Sequence, residues 1–520
     1  MKSLSEAQRF VRCLRIEVFL FACLFAGLSQ AAEPTRNAVE SSLEKAIRFY
    51  RDEVANQGGY VYRYSSDLTL REAEGLPDEN TIWIQPPGTP AVGEAFLDAY
   101  EATKEPAFAR AALDAAEALV KTQLQSGGWY YHGHFDPETR REFFYRRTLA
   151  GELVPDPTPA ADRQAPNGWE LWRQGDYRGR NQTILDDDVT QSALRFLMRF
   201  DQLEGFRNEA VHDAVTHGLD ALVKAQYPNG GWSANFDRFP DVSPSAETYT
   251  VLPASYPETW SRTWPKAYDG PYVTNDNLMA NVIATLIRAV ETYGDREPSY
   301  RRSLLAAGDF LIRAQMPDPQ PAWAQHYNRD MQPTWDRAFE PPAISGRESQ
   351  EILAALVDLS RTTGETRFLE PLPRAIAYLK KSRLTNGKLA RFYELETNRP
   401  LFFTRGPGGK GWEITYQTDR LASNYGWEWE SRLEAIEAEA QRVRDRSPEA
   451  PLSPTERAEL TNRVTAILSS QDDRGAWTSP GTIRDADGRK VEPVGGIIES
   501  ATFIENVKTL SDWLVVAKQP

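Results

Sequence analysis

The chain has 520 residues, 26% charged and 41% hydrophobic, with a formal net charge of -14 at pH 7. That balance belongs to a folded globular protein, long enough for one large domain or up to about four ordinary ones. The acidic excess excludes nucleic acid as a default partner, because phosphate binding takes a basic face. An anionic sugar stays open, since local arginines or a bound cation invert the field at one site.

Residues 1–31 stand apart from the rest. Lys2, Arg9, Arg12 and Arg15 make a basic start, residues 18–28 (VFLFACLFAGL) form an apolar run, and Ser29, Gln30 and Ala31 close it with a small-x-small pattern. This predicts a secretory signal peptide over 1–31 and export to the periplasm or beyond. The run is too short to span a bilayer, and no later segment is apolar enough to be a membrane span. Both cysteines, Cys13 and Cys23, fall in the leader. The mature chain therefore has no disulfide and depends on a large core.

Further along, apolar residues recur at three- and four-residue spacing over 39–54, 91–101, 106–122, 189–200, 206–225, 277–292, 298–314, 347–361, 367–381, 427–443, 454–469 and 500–516, predicting helices there. The helices come in pairs, and a turn with a common signature follows several of them. Its copies run from Gln123 to Gly127-Gly128-Trp129, from Gln226 to Gly230-Gly231-Trp232, and from Gln471 to Gly475-Ala476-Trp477. An early copy is Gln57-Gly58-Gly59-Tyr60, and a degenerate one runs from Gln315 to Trp323. Repeated hairpins bury their faces only against their neighbours. If the first and last helices pair, the expected fold is all-α: an α/α toroid of about six helical hairpins, possibly incomplete, as a single domain over 32–520. The connections 135–182 and 235–274 are too long to be turns and are expected over one mouth of the ring.

The helix starts carry the candidate chemistry. Asp186-Asp187-Asp188 opens one first helix and Thr274-Asn275-Asp276-Asn277 the next. Capping accounts for an acid or two at such a place. On a toroid, though, neighbouring starts lie side by side, so Asp186, Asp187 and Asp276 are candidate ligands for a hard cation, calcium or magnesium. Aromatics beside a cation suit a sugar groove, which makes Trp232 and Trp323 candidates for substrate binding. Arg337 has two readings: a site residue, or an ion pair with Asp336 or Glu340. Arg399 and Arg405 lie in the long connection after the fourth pair and are candidate partners for a substrate carboxylate, which guanidinium binds bidentately. No His-x-x-x-His, Gly-x-Ser-x-Gly, P-loop or dinucleotide fingerprint occurs, so zinc, serine-nucleophile and nucleotide chemistries lose weight.

Five segments in order carry a family resemblance: Leu185-Asp186-Asp187-Asp188-Val189-Thr190, Gln226-Tyr227-Pro228-Asn229-Gly230-Gly231-Trp232, Asn275-Asp276-Asn277-Leu278-Met279, Arg337-Ala338-Phe339-Glu340-Pro341-Pro342, and Tyr393-Glu394 through Thr397-Asn398-Arg399-Pro400. They resemble motifs of the family ten polysaccharide lyases, the pectic acid lyases, over roughly 181–405. The resemblance implies an α/α toroid and calcium-dependent β-elimination of polygalacturonate. It puts Asp186 and Asp276 around calcium (Ca2+) and the substrate carboxylate, Arg337 as the base, and Arg399 as a carboxylate-binding arginine with Arg405 beside it. The sequence departs from the family pattern at Asp186-Asp187-Asp188, at Ser233-Ala234, at Trp323-Ala324-Gln325, and in the length of 235–274. The expected protein is a secreted, monomeric pectate lyase acting on acidic polysaccharide, with no nucleic-acid or membrane partner. A toroidal glycoside hydrolase and a non-catalytic acidic-glycan-binding protein remain the alternatives. The turn signature is shared with terpene cyclases, whose Asp-rich ionising motif is not evident here.

Overall fold

The computed structural model describes residues 33–156, 181–240, 251–259, 261–266, 270–294, 297–422, 425–448 and 451–517. The leader expected over 1–31 lies outside them. Among the described residues, twelve α-helices of ten residues or more follow one another: α1 (Arg36–Phe49), α2 (Thr89–Thr103), α3 (Pro106–Thr122), α4 (Val189–Leu203), α5 (Glu209–Lys224), α6 (Leu278–Tyr293), α7 (Pro298–Ala314), α8 (Gly346–Thr363), α9 (Leu372–Lys381), α10 (Leu433–Arg444), α11 (Pro454–Ser470) and α12 (Ser500–Val516). All are helices that the periodicity predicts. The ends differ where local chemistry sets them. Asn208 caps α5, its side chain accepting from Val211 N, and so moves that start past 206. Pro371 and Pro373 split the ninth segment into a 3-10 turn, Thr366–Leu369, and then α9. Residues Glu428–Trp429 pair as a strand with Leu389–Ala390, so α10 begins later than its apolar pattern.

The fold class is all-α, of the α/α-toroid kind, and the chain divides into two compact units. The smaller holds α1, α2, α3, α11 and α12. Here the last helix packs against α1, α2 and α11, and the Tyr50 ring, one residue past α1, stacks on Phe503 of α12 at 3.6 Å. In the larger unit, the first helices of successive hairpins, α4, α6, α8 and α10, pack on one another as a row, backed by the second helices α5, α7 and α9. The α6 face shows why: Leu278, Met279, Val282, Ile283, Leu286 and Ala289 are all buried. Their spacing makes one apolar stripe, and burying each large one stabilises by roughly 1.5–3 kcal/mol. Among the described residues no helix is long and apolar enough to cross a membrane.

The repeated turn is a staple between hairpins. Gln123 Nε2 donates to Gly127 O and Ala214 O, both at 2.8 Å. Gln226 does the same to Gly230 O and Ser303 O at 3.0 Å, Gln315 to Pro321 O and Pro371 O at 3.0 Å, and Gln471 to Gly475 O at 3.2 Å and Ser42 O at 3.0 Å. One amide thus ties its own turn to the following second-row helix or its start, at about 1 kcal/mol net per bond. The glycine is required twice over at Gly230. Its φ is 93°, and a Cβ there would lie 2.1 Å from Ala306 O.

The same turns correct one expectation. Trp232 and Trp323 are 0% exposed, and their indole N–H groups donate to Leu222 O at 2.9 Å and Leu311 O at 2.8 Å. They seal the hairpins and present no face to a sugar.

The larger unit also carries a four-stranded antiparallel sheet, in the order Trp412–Thr415, Pro400–Arg405, Phe392–Glu394, Ala343–Ser345, whose last strand leads straight into α8. Its register pairs Phe392 with Ser345 and with Leu401, and Arg405 with Trp412. This ladder decides which arginines reach the helix starts.

Candidate active site

Each turn tryptophan also fixes the start of a helix. Trp129 O accepts from Ile184 N, Trp232 O from Val273 N, and Trp323 O from Ser345 N, at 2.9, 3.0 and 2.7 Å. On the other side, Thr190 Oγ1 accepts from Trp129 N and Ser349 Oγ from Trp323 N, both at 3.1 Å. The path between these two anchors is 184 to 190 in the first case but only 345 to 349 in the last. The α4 start therefore holds two extra residues. They are taken up by consecutive left-handed residues, Asp187 (φ 50°, ψ 28°) and Asp188 (φ 62°, ψ 23°). The α6 start repeats the device with Asp276 (φ 46°, ψ 36°) and Asn277 (φ 63°, ψ 19°). Asp and Asn enter this region at lower cost than other non-glycine residues, yet each such position still costs about 1 kcal/mol or more.

The two bulges bring acids together. Leu185 N and Asp186 N share Ala234 O, as Thr274 N and Asn275 N share Gln325 O. By that register Asp276 corresponds to Asp187, while Asp186 corresponds to Asn275. Even so, carboxylate oxygens of Asp186, Asp187 and Asp276 all lie within 4.8 Å of one another. Asp188 turns away to an ion pair with Arg195 at 2.5 Å. Tyr131 Oη donates to Asp186 Oδ2 at 3.3 Å. Burial, then the charges of Asp187 and Asp276, push the Asp186 carboxyl well above the usual range, with Arg337 partly opposing.

Three guanidiniums stand around Asp276. Arg347 Nη1 donates to Oδ1 at 2.8 Å, Arg391 Nη2 lies 3.5 Å from the same oxygen, and Arg337 Nη2 is 3.7 Å from Oδ2. Arg391 is buried, pairs with the buried Glu348 at 3.5 Å and lies 4.0 Å over the Tyr425 ring. Arg337 makes the expected ion pair with Glu340. Besides facing Asp276, it donates through Nε to Glu340 Oε2 at 2.7 Å and through Nη2 to Glu340 Oε1. Burial pulls its pKa down, but the bond to Glu340 and its charge outweigh that and hold the guanidinium firmly protonated.

Arg399 does not join them. It stacks over Tyr416 at 3.7 Å. On the ladder Arg391 lies opposite Phe402, one step beyond the Phe392–Leu401 pair. Arg399 is three residues back along that strand, roughly 10 Å at about 3.3 Å per residue. Arg405 runs the other way and sits over Trp412 at 3.8 Å, whose ring meets Phe339 beside Arg337. Sequence reasoning missed Arg347 and Arg391, although the proximity of Arg391 to the motif Tyr393-Glu394 was a usable signal.

Five carboxyls (Asp186, Asp187, Asp276, Glu340, Glu348) against three guanidiniums (Arg337, Arg347, Arg391) leave an excess of two negative charges when all are ionised. All three clustered donors are hard oxygens. Both features fit one divalent cation of the calcium or magnesium type held by Asp186, Asp187 and Asp276.

A second group, His326, Asp336 and Glu340, also lies within 4.8 Å. It fits a cation poorly. Glu340 already accepts from Arg337 Nε, Nη2 and backbone N, from Tyr425 Oη at 2.8 Å, and from Asn275 Nδ2 at 3.3 Å, which fills its lone pairs. Burial, then the charge of Glu340, push the Asp336 carboxyl well above the usual range, 3.2 Å from His326 Nε2.

Residues 162–389 match the family described as pectic acid lyase. This segment belongs to that family. The protein is accordingly a polysaccharide lyase, and Asp186, Asp187, Asp276, Arg337 and Arg347 lie inside the matched span, with Arg391 just beyond it. Among solved structures, the lyase is similar to the family 10 polysaccharide lyase from Cellvibrio cellulosa, one form of which is a mutant in complex with trigalaturonic acid. That structure is 18% identical, with 68% of this chain and 98% of that one covered and a TM-score of 0.42. A D-mannose isomerase is 14% identical over 94% of this chain and 100% of its own, at 0.44. The α-1,6-mannanase GH76A of Salegentibacter is 9% identical over 92% and 99%, at 0.39. No curated protein matches the lyase.

Proposed function

We propose that the chain is an exported pectate lyase that cleaves polygalacturonate or a related polyuronate by calcium-assisted β-elimination. The observation that carries this reading is the convergence of Asp186, Asp187 and Asp276 on one point, where five carboxyls outnumber three arginines by two charges, in a segment that matches the pectic acid lyases. A bound calcium would supply Lewis-acid polarisation of the uronate carboxylate. The protein's own groups do the rest. Arg391 and Arg347 sit where they can pair with that carboxylate and draw charge from it, which acidifies the neighbouring C5 proton. Electrostatic stabilisation of the enolate-like state lowers the barrier most. Loss of the C5 proton and cleavage of the C4–O bond form the C4–C5 double bond of an unsaturated uronide, and the departing oxygen takes a proton from solvent.

Arg337 is proposed as the group that meets the C5 proton. Glu340 holds it charged, so it must give up a proton against that pull. Elimination is therefore expected to accelerate well above pH 7. The hydrolase alternative finds less support, because the three acids lie within 4.8 Å of one another, closer than the roughly 6.5–9.5 Å that gives an inverting glycosidase room for its water and than the roughly 5–5.5 Å of a retaining one.

The test is incubation with polygalacturonate, with calcium and with chelator, following near-ultraviolet absorbance of the new double bond. Absorbance that grows with calcium supports the proposal. Chain shortening without absorbance assigns a hydrolase, and neither change assigns a binding protein.

A further inference from the structure

The reaction leaves one feature of the site wall unused. Residues 261–264 come from the long 235–274 connection, and three contacts pin them beside Arg337. Trp335 Nε1 donates to Ser261 O at 2.9 Å. Arg262 pairs with the buried Glu394 and lies 3.4 Å from Tyr416 Oη. Trp264 Nε1 donates to the Asp336 carbonyl at 2.7 Å. Asp336 directly precedes Arg337, so the indole is tethered one residue from the guanidinium that faces Asp276.

Trp264 is only half-buried, and its flanking residues Ser261, Arg262, Thr263, Pro265 and Lys266 are exposed. Its single polar atom is consumed by the tether. What it offers solvent is therefore apolar ring, on an otherwise polar segment. Fixed rings of this kind suit a flat ligand that has an apolar face and polar edges, and a pyranose is one: its C–H groups line the faces while hydroxyls and carboxylate project from the rim.

We propose that Trp264 is a sugar-stacking platform, which binds the pyranose ring next to the one whose carboxylate reaches Asp276 and its arginines. The inference rests on the polyuronate reading above. The platform holds the glycan chain and takes no part in bond breaking, so it acts on KM and leaves kcat unchanged.

The experiment compares wild type, Trp264→Ala and Trp264→Phe on polygalacturonate with calcium, by initial rates of ultraviolet-absorbing product. Stacking predicts that Trp264→Ala raises KM about tenfold with kcat within twofold. Trp264→Phe, which keeps a ring but lacks the N–H tether, stays within about threefold of wild type. If Trp264 merely anchors the loop, Phe fails as badly as Ala, and the proposal is overturned. It is overturned equally if Ala matches wild type, or if kcat falls with KM raised. A wild type that forms no unsaturated product at all sinks the functional reading, and this inference with it, which is distinguishable from an active wild type whose variants disagree.

Discussion

Replacing Asp186 by Asn separates the charge of the acid cluster from its shape. In the wild-type protein the Asp186 carboxylate lies within 4.8 Å of those of Asp187 and Asp276. At that distance and an effective dielectric near 20, one like-charge pair costs roughly 3.5 kcal/mol, part of it offset by the neighbouring guanidiniums. The Asn side chain still accepts from Tyr131 Oη but carries no charge. Burial and this repulsion push the Asp186 carboxyl well above the usual range, so in the cation-free state the wild type either bears the repulsion or takes up a proton to relieve it; Asp186→Asn removes both costs and should stabilise the protein by about 1–3 kcal/mol. The same change weakens the cation site. Calcium at about a hundredfold over its Kd should stabilise wild type by ~2.7 kcal/mol and the variant hardly at all. Thermal unfolding in EDTA and in calcium reads both effects, and product absorbance should show the variant inactive. A variant that melts below wild type in EDTA, or that gains as much from calcium, would refute the charge argument.

Arg391→Ala removes a buried guanidinium shared by Asp276 and Glu348 and should cut kcat/KM by about a hundredfold or more, whereas Arg399→Ala should cost less than about tenfold; equal losses would restore Arg399 to the site. Burial holds the His326 pKa at about 4, below its ordinary 6.5. The unfolded chain then takes up a proton that the folded protein refuses, so stability present above pH 6.5 is lost as pH falls towards 4, by up to roughly 3 kcal/mol. Denaturant unfolding at pH 7 and pH 5 should show this loss shrinking in His326→Gln. Gln226→Ala removes both staple bonds to Gly230 O and Ser303 O and should destabilise by about 2 kcal/mol with little effect on KM. Gly230→Ala, strained and driven onto Ala306 O, should cost more, about 2–4 kcal/mol by the same unfolding assay.

The hairpins and their turns were legible in the chain because they are local. Helical periodicity, the recurring Gln and the paired glycines each act within a few residues or on the adjacent helix. The acid cluster was half legible: Asp186, Asp187 and Asp276 stood out as acids at helix starts, but the left-handed pairs Asp187–Asp188 and Asp276–Asn277 shift the register by two residues, and no propensity announces that. The tryptophans misled, since burial of an indole and stacking on a sugar call for the same residue. The choice among arginines belonged to tertiary structure alone. Arg391, Arg399 and Arg405 share one segment, and it is the antiparallel ladder of Phe392 with Ser345 and Leu401 that delivers the first to Asp276 and carries the second some three residues away. Sequence sets which side chains are available and which stretches repeat. Distance between helix starts, and with it the balance of charge around one cation, exists only after the hairpins have packed.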